Sequence, residues 1–174
     1  QQIAQGAMAI DVCMDDPMID ATVAMVKFLR LASAEPEVAK VPVVVDSSDW
    51  NVVQAALGEL QGRSIVNSIS LKDGPGMFLE KARFIASRGA AAIVMLFDEQ
   101  GQADTFERKI AVAERSYQLL TGHGALDPSA IMFDPNVMAI ATGIDGHDIY
   151  ARDFLQAVKW IKIHCPGVSV SGVI

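Results

Sequence analysis

The stretch that most constrains the fold is residues 91–105, where an apolar run passes through a polar segment into an amphipathic pattern. The run, residues 91–97, does not alternate and is far shorter than the roughly 20 residues that span a bilayer. It therefore predicts a strand buried on both faces, as in parallel sheets covered by helices. Residues 98–104 predict a polar loop, and Asp104 or Thr105 is expected to cap the following helix. The result is one βα unit with polar groups at the carboxyl end of its strand.

The same strand-and-helix pattern recurs along the whole chain. Apolar runs bounded by turn residues predict strands near 7–13, 41–45, 64–69, 91–97, 130–133 and 168–174. Helical spacing predicts helices near 19–32, 50–60, 75–89, 105–120 and 148–164. Alternating βα units favour a doubly wound parallel sheet or a (β/α)₈ barrel. No Gly-rich dinucleotide or phosphate-binding fingerprint follows a predicted strand, which favours the barrel.

The two ends of the chain suggest that the barrel is incomplete. Residues 1–6 predict the last turn of a helix, with Gly6 as its left-handed cap. Residues 168–174 predict a strand at the other end. We therefore expect an α/β fold, a (β/α)₈ TIM barrel with about six βα units. Residues 1–174 are expected to form one partial domain that lacks the first and last strands of the barrel.

Bulk composition excludes several classes of function. A chain of 174 residues that is 51% hydrophobic suits a globular protein with a real core. Its net charge of −7 argues against nucleic acid or an anionic membrane as a partner. The sequence shows no signal peptide. The two cysteines, Cys13 and Cys165, form no disulfide framework or metal-ligand cluster, so a reducing cytoplasmic location is expected.

Carboxylates and carboxamides follow five of the six predicted strands. They are Asp11, Asp46, Asn67, Asp98 and Asp134 with Asn136. Because the carboxyl ends of barrel strands meet at one mouth, we expect these side chains to converge on a common pocket.

Two ligands suit such a pocket. Hard oxygen donors bind Mg²⁺ or Mn²⁺, whereas the absence of a suitably placed His pair argues against zinc. A flat, donor-rich heterocycle is the other possibility, since a carboxylate accepts two N–H groups and a carboxamide both donates and accepts. Asp and Asn at strand ends also serve as helix caps and turn formers. That structural role is the alternative to ligand binding for each of these residues.

Several motifs resemble the folate-binding domain of cobalamin-dependent methionine synthase. They are VVDSS at 44–48, IVNSIS at 65–70, FDEQGQA at 97–103 and FDPN at 133–136, continued by ATGI at 141–144, His147, Tyr150 and the Ser171-Gly172 pair. The segment FDEQGQAD is specific. DSS and DPN are weaker, because dihydropteroate synthases share them in looser form. Both enzymes belong to a pterin-binding superfamily of (β/α)₈ barrels, and the resemblance covers essentially the whole chain.

The resemblance implies roles for the residues at the strand ends. Asp46, Asn67 and Asp134 would hold the pterin ring of the folate. Asp11, Asp98 and Asn136 would be second candidates for the same pocket. No metal site is implied there, because the cobalt belongs to a corrinoid held by another domain.

The reaction implied by the resemblance is methyl transfer for methionine synthesis. The methyl group on N5 of 5-methyltetrahydrofolate would pass to cob(I)alamin and then to homocysteine. N5 leaves poorly unless it is protonated, so acidic residues around the pterin would stabilise the positive charge. The expected partners are the folate and a cobalamin-binding domain of the same or another chain.

The sequence departs from this family in the segment that contains Cys13 and Pro17 and again after Gly172. Cys13 stands where the family has Asn, Pro17 where it has Gly, and Gly172 is followed by Val173 instead of Gly-x-Ser-Asn. Cys13 is expected to be a small buried residue and not a nucleophile. We therefore expect this fragment alone to be inactive. The alternatives are a dihydropteroate synthase-like enzyme and a non-catalytic pterin-binding remnant.

Other charged and aromatic residues have ordinary interpretations. His147 is expected to cap a helix or face solvent. A charged group on the helix after the FDEQGQAD segment predicts a solvated face with short-range ion pairs: Glu107, Arg108, Lys109, Glu114 and Arg115.

An incomplete barrel would leave two open strand edges, which favour association. We therefore predict that the isolated chain borrows strands from a second copy or is the ordered part of a longer polypeptide. Light scattering at this length is expected to show self-association. A stable, monodisperse monomer would contradict the prediction.

Overall fold

The computed structural model describes residues 1–137 and 149–172, and in them short strands alternate with helices. The strands are β1 Ile10–Cys13, β2 Val43–Asp46, β3 Ile65–Ile69, β4 Ala91–Met95, β5 Phe97–Asp98, β6 Gly101–Gln102, β7 Ile131–Asp134 and β8 Ser169–Val170. The α-helices are α1 Ala21–Ser33, α2 Trp50–Glu59, α3 Gly74–Ser87, α4 Phe106–Gly122 and α5 Tyr150–His164.

Six of the strands form one sheet in the order β1-β2-β3-β4-β7-β8. The pairs β1-β2, β2-β3 and β7-β8 are parallel, as strands joined by helical crossovers must be. The predicted α/β fold with a six-stranded parallel sheet is confirmed, and it is consistent with an incomplete (β/α)₈ barrel.

The chain contains two compact units. The first consists of Gln1–Ser68 and Ile85–Ala92, and the second of Ile69–Phe84 and Ile93–Ile174. That residues 1–174 form one partial barrel domain stays a prediction.

Each unit has its own buried apolar side chains. In the first unit they come from β1 to β3 and from α1 and α2: Val12, Met25, Leu29, Val45, Val53, Ala56 and Val66. In the second unit they include Leu71, Phe78, Leu96, Val112, Leu120, Ile131, Phe133 and Ile161. Burial of these side chains at helical and alternating spacing supplies most of the driving force for folding.

Strand β4 is buried on one face and half-buried on the other. Ala92 and Val94 are fully buried, whereas Ala91, Ile93 and Met95 are only partly covered. The prediction that both faces are buried was therefore wrong for one face. An apolar run without alternation shows that both faces lack polar groups, but it does not measure how completely each is covered.

The polar segment after β4 is not a simple loop. Phe97 pairs with Gln102 and Asp98 with Gly101 in a two-stranded antiparallel hairpin. Gly101 has a φ of 103°, a conformation that glycine adopts without a steric penalty. The predicted loop is thus a hairpin whose tip is formed by the two residues between β5 and β6.

Side-chain caps fix the starts of three helices. Thr105 Oγ1 accepts a hydrogen bond from the Arg108 N–H at 3.3 Å, so the predicted Thr105 cap of α4 is confirmed. Asp20 caps α1 and Asp49 caps α2 in the same way.

The predicted bounds of the elements differ from the observed ones by a few residues. The largest difference is at the first strand, which begins at Ile10 and not at residue 7. Gly6 adopts the predicted left-handed conformation after a 3₁₀ turn. The motif at 141–144, His147 and the last two residues of the predicted final strand lie outside the described residues.

In the described part of the chain, no helix has both the length and the apolar character that crossing a membrane requires.

Candidate functional site

The parallel register of the first three strands places polar side chains in one row. Cys13 pairs with Asp46, and Asp46 pairs with Asn67. Paired residues of adjacent parallel strands project from the same face, and residues two apart on one strand also share a face. Asp11 therefore lies on the same face of the sheet as Cys13, two residues earlier along β1.

Asp46 and Asn67 have no protein partner within residues 1–137 and 149–172, where neither side chain makes a hydrogen bond or an ion pair. Both are partly buried. Burial, followed by the negative charges of Asp11 and Asp15, raises the pKa of the Asp46 carboxyl. A partly buried carboxylate with a raised pKa and no partner among the described residues is a candidate ligand-binding group.

Asp15 holds the segment that follows β2. Its Oδ1 accepts from Ser47 Oγ at 2.6 Å, and its Oδ2 accepts from the Ser48 N–H at 2.7 Å and from Ser48 Oγ at 2.8 Å. These bonds, with that from Ser47 Oγ first, lower the pKa of the Asp15 carboxyl. Asp15 thereby fixes the backbone immediately after Asp46. The sequence interpretation missed this role, although an acidic loop after β1 facing two serines after β2 indicates it.

Cys13 differs from its predicted environment. The side chain is exposed and is one of two free cysteines. The prediction of a buried residue was wrong because Cys13 lies on the same face as Asp11, whereas Val12, on the opposite face, is buried.

Two arginines of α4 bind the β5–β6 hairpin of the second unit. Arg108 donates from Nη2 to Asp98 Oδ1 at 2.8 Å and from Nη1 to the Gln102 carbonyl at 3.0 Å. Arg115 forms a bidentate pair with Glu99 at 2.7 and 2.8 Å. That hydrogen-bonded pair lowers the pKa of Glu99 to about 2. The two arginines are seven positions apart, so they share one face of the helix.

These contacts correct the prediction of a solvated, locally paired helix face. Arg108 and Arg115 bind the hairpin, and Lys109 is completely buried. Lys109 Nζ donates to the carbonyls of Ala103 at 2.9 Å, Pro135 at 2.5 Å and Asn136 at 3.1 Å.

A charge run gives no sign of burial by itself, because lysine is rarely buried. The helical spacing does indicate burial, because Lys109 lies three, four, seven and eleven positions before the buried Val112, Ala113, Ser116 and Leu120. The helical period of the buried residues could therefore have revealed its position.

The turn after β7 places Asp134 and Asn136 in contact. The Asn136 N–H donates to Asp134 Oδ1 at 2.8 Å, and Asn136 has a φ of 53°. Asn136 Nδ2 lies 3.5 Å from the Leu96 carbonyl, and the residue is buried. Burial raises the pKa of the Asp134 carboxyl, against the smaller opposing effects of this hydrogen bond and of Lys109.

The six candidate residues are therefore not equivalent. Within the described residues the side chains of Asp46 and Asn67 make no hydrogen bonds, and Asp11 is exposed. One Asp134 oxygen accepts the Asn136 N–H. The Asp98 carboxylate accepts from Gln100 and Arg108, which gives it a structural role in the hairpin.

Metal coordination is not indicated by the side chains that the structure describes. Within those residues, no group of three or more His, Cys, Asp or Glu side chains could hold a metal ion.

The parallel α/β sheet with polar groups at the carboxyl ends of its strands defines the class: a TIM-barrel-type fold with a candidate binding site at that edge. A family model described as "Pterin binding enzyme" matches residues 1–173, and the chain belongs to that family.

Two solved structures share the fold. Dihydropteroate synthase from Xanthomonas albilineans, in complex with 7,8-dihydropteroate, is 16% identical with a TM-score of 0.60, over 98% of this chain and 59% of that one. Yersinia pestis DHPS with a pterine-sulfa conjugate is 12% identical with a TM-score of 0.61, over 98% of this chain and 63% of that one. The chain thus spans about three fifths of the length of these proteins. At such identities the likeness supports the fold, and function has to be argued from the site.

The Asp15 contacts predict a measurable stabilisation. Asp15→Asn leaves one acceptor oxygen where the serines approach two, so we expect a loss of about 1 kcal/mol in the free energy of unfolding. Because the pKa of Asp15 is lowered, the wild-type advantage is present at neutral pH and disappears as the pH falls below the ordinary aspartate pKa towards the lowered one. Urea denaturation at several pH values measures both effects.

Asp16→Asn is the matched control. The Asp16 carboxylate accepts one backbone N–H, that of Met18, through one oxygen that an amide also offers. Its unfolding free energy should stay within about 0.5 kcal/mol of wild type. Equal, pH-independent effects of the two substitutions would contradict the role assigned to Asp15.

Proposed function

We propose that this chain binds the pterin ring of a folate at the polar groups that end its parallel strands. Asp46, Asn67 and Asp134 are the principal contacts in this proposal. Asp11, Asp98 and Asn136 complete the set, with Asp98 and Asn136 acting chiefly through the backbone segments they stabilise.

The observation that carries the proposal is the adjacent pair Asp46 and Asn67. They are paired in register, Asp46 as the last residue of β2 and Asn67 as the middle residue of β3, and in the described chain neither side chain has a partner. A pterin edge presents an amino group and a ring N–H beside ring acceptors. A carboxylate accepts the two N–H groups together, and a carboxamide meets a donor and an acceptor. Such donors would also stabilise the Asp46 carboxylate against the charges of Asp11 and Asp15.

Asp134, taken by itself within the second unit, also has a side chain suited to a ring N–H group. The Asn136 N–H occupies one of its oxygens, which holds the carboxylate in a defined orientation. The other oxygen accepts no hydrogen bond from the described residues and is available to an N–H of the ring. Membership of the pterin-binding family supports this kind of ligand.

For the chemistry, we propose methyl transfer from 5-methyltetrahydrofolate to cob(I)alamin, as part of methionine synthesis from homocysteine. The FDEQGQAD segment carries this choice. Its acidic residues and glycine have defined positions in the structure, because Asp98 and Glu99 bind the arginines of α4 and Gly101 adopts a positive φ. The corrinoid would be held by another domain, so none of the described residues is assigned to it.

Dihydropteroate synthesis is the second candidate, and the solved structures support it at least as well. Both proteins of the same fold are dihydropteroate synthases, and one holds 7,8-dihydropteroate. A pterin pocket built from strand ends serves either reaction, because the two enzymes would differ in what approaches the pterin. A third candidate is a pterin-binding remnant without chemistry, which the departures at Cys13 and after Gly172 favour.

The remaining proposals concern location and partners. Cys13 and Cys165 are both free thiols, which suits a reducing cytoplasm. The net charge of −7 argues against nucleic acid and anionic membranes as partners. Self-association through open strand edges stays a prediction.

Binding should depend on the two principal carboxylates. We expect titration of 5-methyltetrahydrofolate or 7,8-dihydropteroate into the protein to show binding that Asp46→Asn and Asp134→Asn each weaken about tenfold, or about 1.4 kcal/mol. Raised pKa values mean that wild-type affinity should start to fall on acidification at a higher pH than for an ordinary aspartate. Calorimetry at several pH values measures both.

Asp16→Asn is again the control, because Asp16 lies in the loop and, among the described residues, its side chain accepts a hydrogen bond from the Met18 backbone alone. Wild-type affinity in both Asp46→Asn and Asp134→Asn would exclude the proposed pterin contacts.

An activity assay separates the candidate reactions. If methyl transfer is correct, 5-methyltetrahydrofolate should lose its methyl group only when cob(I)alamin is supplied. If dihydropteroate synthesis is correct, product should form from 6-hydroxymethyl-7,8-dihydropterin diphosphate and 4-aminobenzoate without a corrinoid. Pterin binding with neither reaction would support the non-catalytic candidate, provided that the protein assayed includes any further domains of the parent chain.

A further inference from the structure

Lys109 is a completely buried lysine that the proposed function does not use. Its Nζ donates to three backbone carbonyls, those of Ala103, Pro135 and Asn136, at 2.9, 2.5 and 3.1 Å. An ammonium has three donor hydrogens, so these acceptors satisfy it completely. Burying a cation opposes folding unless such contacts compensate the loss of water. Burial accordingly lowers the pKa of Lys109.

Two of the three acceptors belong to the turn that orients Asp134. Pro135 and Asn136 are consecutive, so a single ammonium fixes two successive carbonyls. In the same turn Asn136 adopts its positive φ, which is uncommon outside glycine and needs support from its surroundings. That conformation directs the Asn136 N–H to Asp134 Oδ1 at 2.8 Å. The Lys109 ammonium therefore fixes the backbone at Pro135 and Asn136, and the Asn136 N–H in turn orients the Asp134 carboxylate.

We infer that Lys109 is a positioning residue of the pterin site, which fixes the turn at Pro135 and Asn136 and so directs the Asp134 carboxylate towards the ring. The inference rests on the proposed function, in which Asp134 binds the pterin. Lys109 touches no ligand in this scheme and acts through Asn136.

Charge gives Lys109 a second effect on Asp134. Among the described residues, three carboxylates interact electrostatically with the ammonium: those of Asp104, Asp134 and Asp153. Asp104 accepts from the Thr105 N–H and Asp153 from the Phe106 N–H, so both are committed to the start of α4. Asp134 is the one assigned to the ligand, and the positive charge of Lys109 opposes the rise in its pKa that burial causes. Lys109 thus helps to keep the ligand-binding carboxylate ionised.

The test compares Lys109→Met, Lys109→Arg and Lys162→Met. Lys162 is the matched control, because it also donates from a helix to a backbone carbonyl, that of Val168 at 2.9 Å, outside the proposed site. Affinity for 5-methyltetrahydrofolate and for 7,8-dihydropteroate is measured across pH, and circular dichroism checks that each variant is folded.

We expect Lys109→Met to weaken binding about tenfold, which is the size of one charge-assisted hydrogen bond. Its pH midpoint for loss of binding should move up, because Asp134 loses a neighbouring positive charge. Lys109→Arg keeps the positive charge but changes the shape of the side chain. Its affinity for the pterin ligands should therefore fall, while its pH midpoint for loss of binding stays near that of the wild type. Lys162→Met should change neither quantity.

Folded Lys109→Met with wild-type affinity and midpoint, while Asp134→Asn loses binding, would overturn the inference and leave the proposed function intact. Asp134→Asn with wild-type affinity would instead remove the pterin role of Asp134, and this inference with it. If Lys109→Met does not fold, hydrogen exchange in the wild type decides. A protected Asn136 amide supports the fixed turn, and exchange at the rate of a free peptide overturns it.

Discussion

The parallel pairing of the strands is the constraint on which the candidate site depends. Because β1, β2 and β3 run in the same direction, their carboxyl ends lie at the same edge of the sheet. Register then decides which side chains become neighbours: Cys13 beside Asp46, and Asp46 beside Asn67. A shift of one residue in any strand would turn its polar group to the opposite face, where Val12 and Val45 are buried. Burial of the apolar face of each strand therefore also determines that Cys13, Asp46 and Asn67 lie side by side on the opposite face.

The polar residues of the candidate site differ in their hydrogen bonds. Some bind other parts of the protein, and others have no hydrogen-bond partner among the described residues. Asp15 and Asp98 resemble Asp46 in sequence, each being an aspartate at or after a strand. Asp15 is committed to the serines after β2 and Asp98 to the hairpin and Arg108. A carboxylate with protein partners must give up those hydrogen bonds to bind a ligand, whereas Asp46, which has no partner in residues 1–137 and 149–172, has none of these to lose. This difference, and not residue type, makes Asp46 and Asn67 the stronger candidates.

Local chemistry in the sequence predicted much of the fold and less of the site. Apolar runs separated by helical spacing predicted the six strands of the parallel sheet, and Thr105 was one of the two residues predicted to cap α4. Contacts between residues distant in sequence were not predictable in this way. Lys109 is held by carbonyls 26 and 27 positions away, and Asp15 binds serines 32 and 33 positions away. A local pattern shows that a residue is charged, but only the fold shows which distant acceptors surround it.

The two units treat the negative charge of their carboxylates differently. Asp46 faces Asp11 and Asp15, and these charges add to burial in raising its pKa. In the second unit, burial raises the pKa of Asp134, and the charge of Lys109 partly opposes that rise. An acidic site must either compensate its charge internally or leave that compensation to the ligand. Asp134 has a cation beside it within the protein, whereas under the proposed function Asp46 would be stabilised as an anion by the N–H groups of the bound ring. Under the same proposal, the Asp46 environment would disfavour an anionic ligand, because an anion would add to the repulsion that Asp11 and Asp15 already exert.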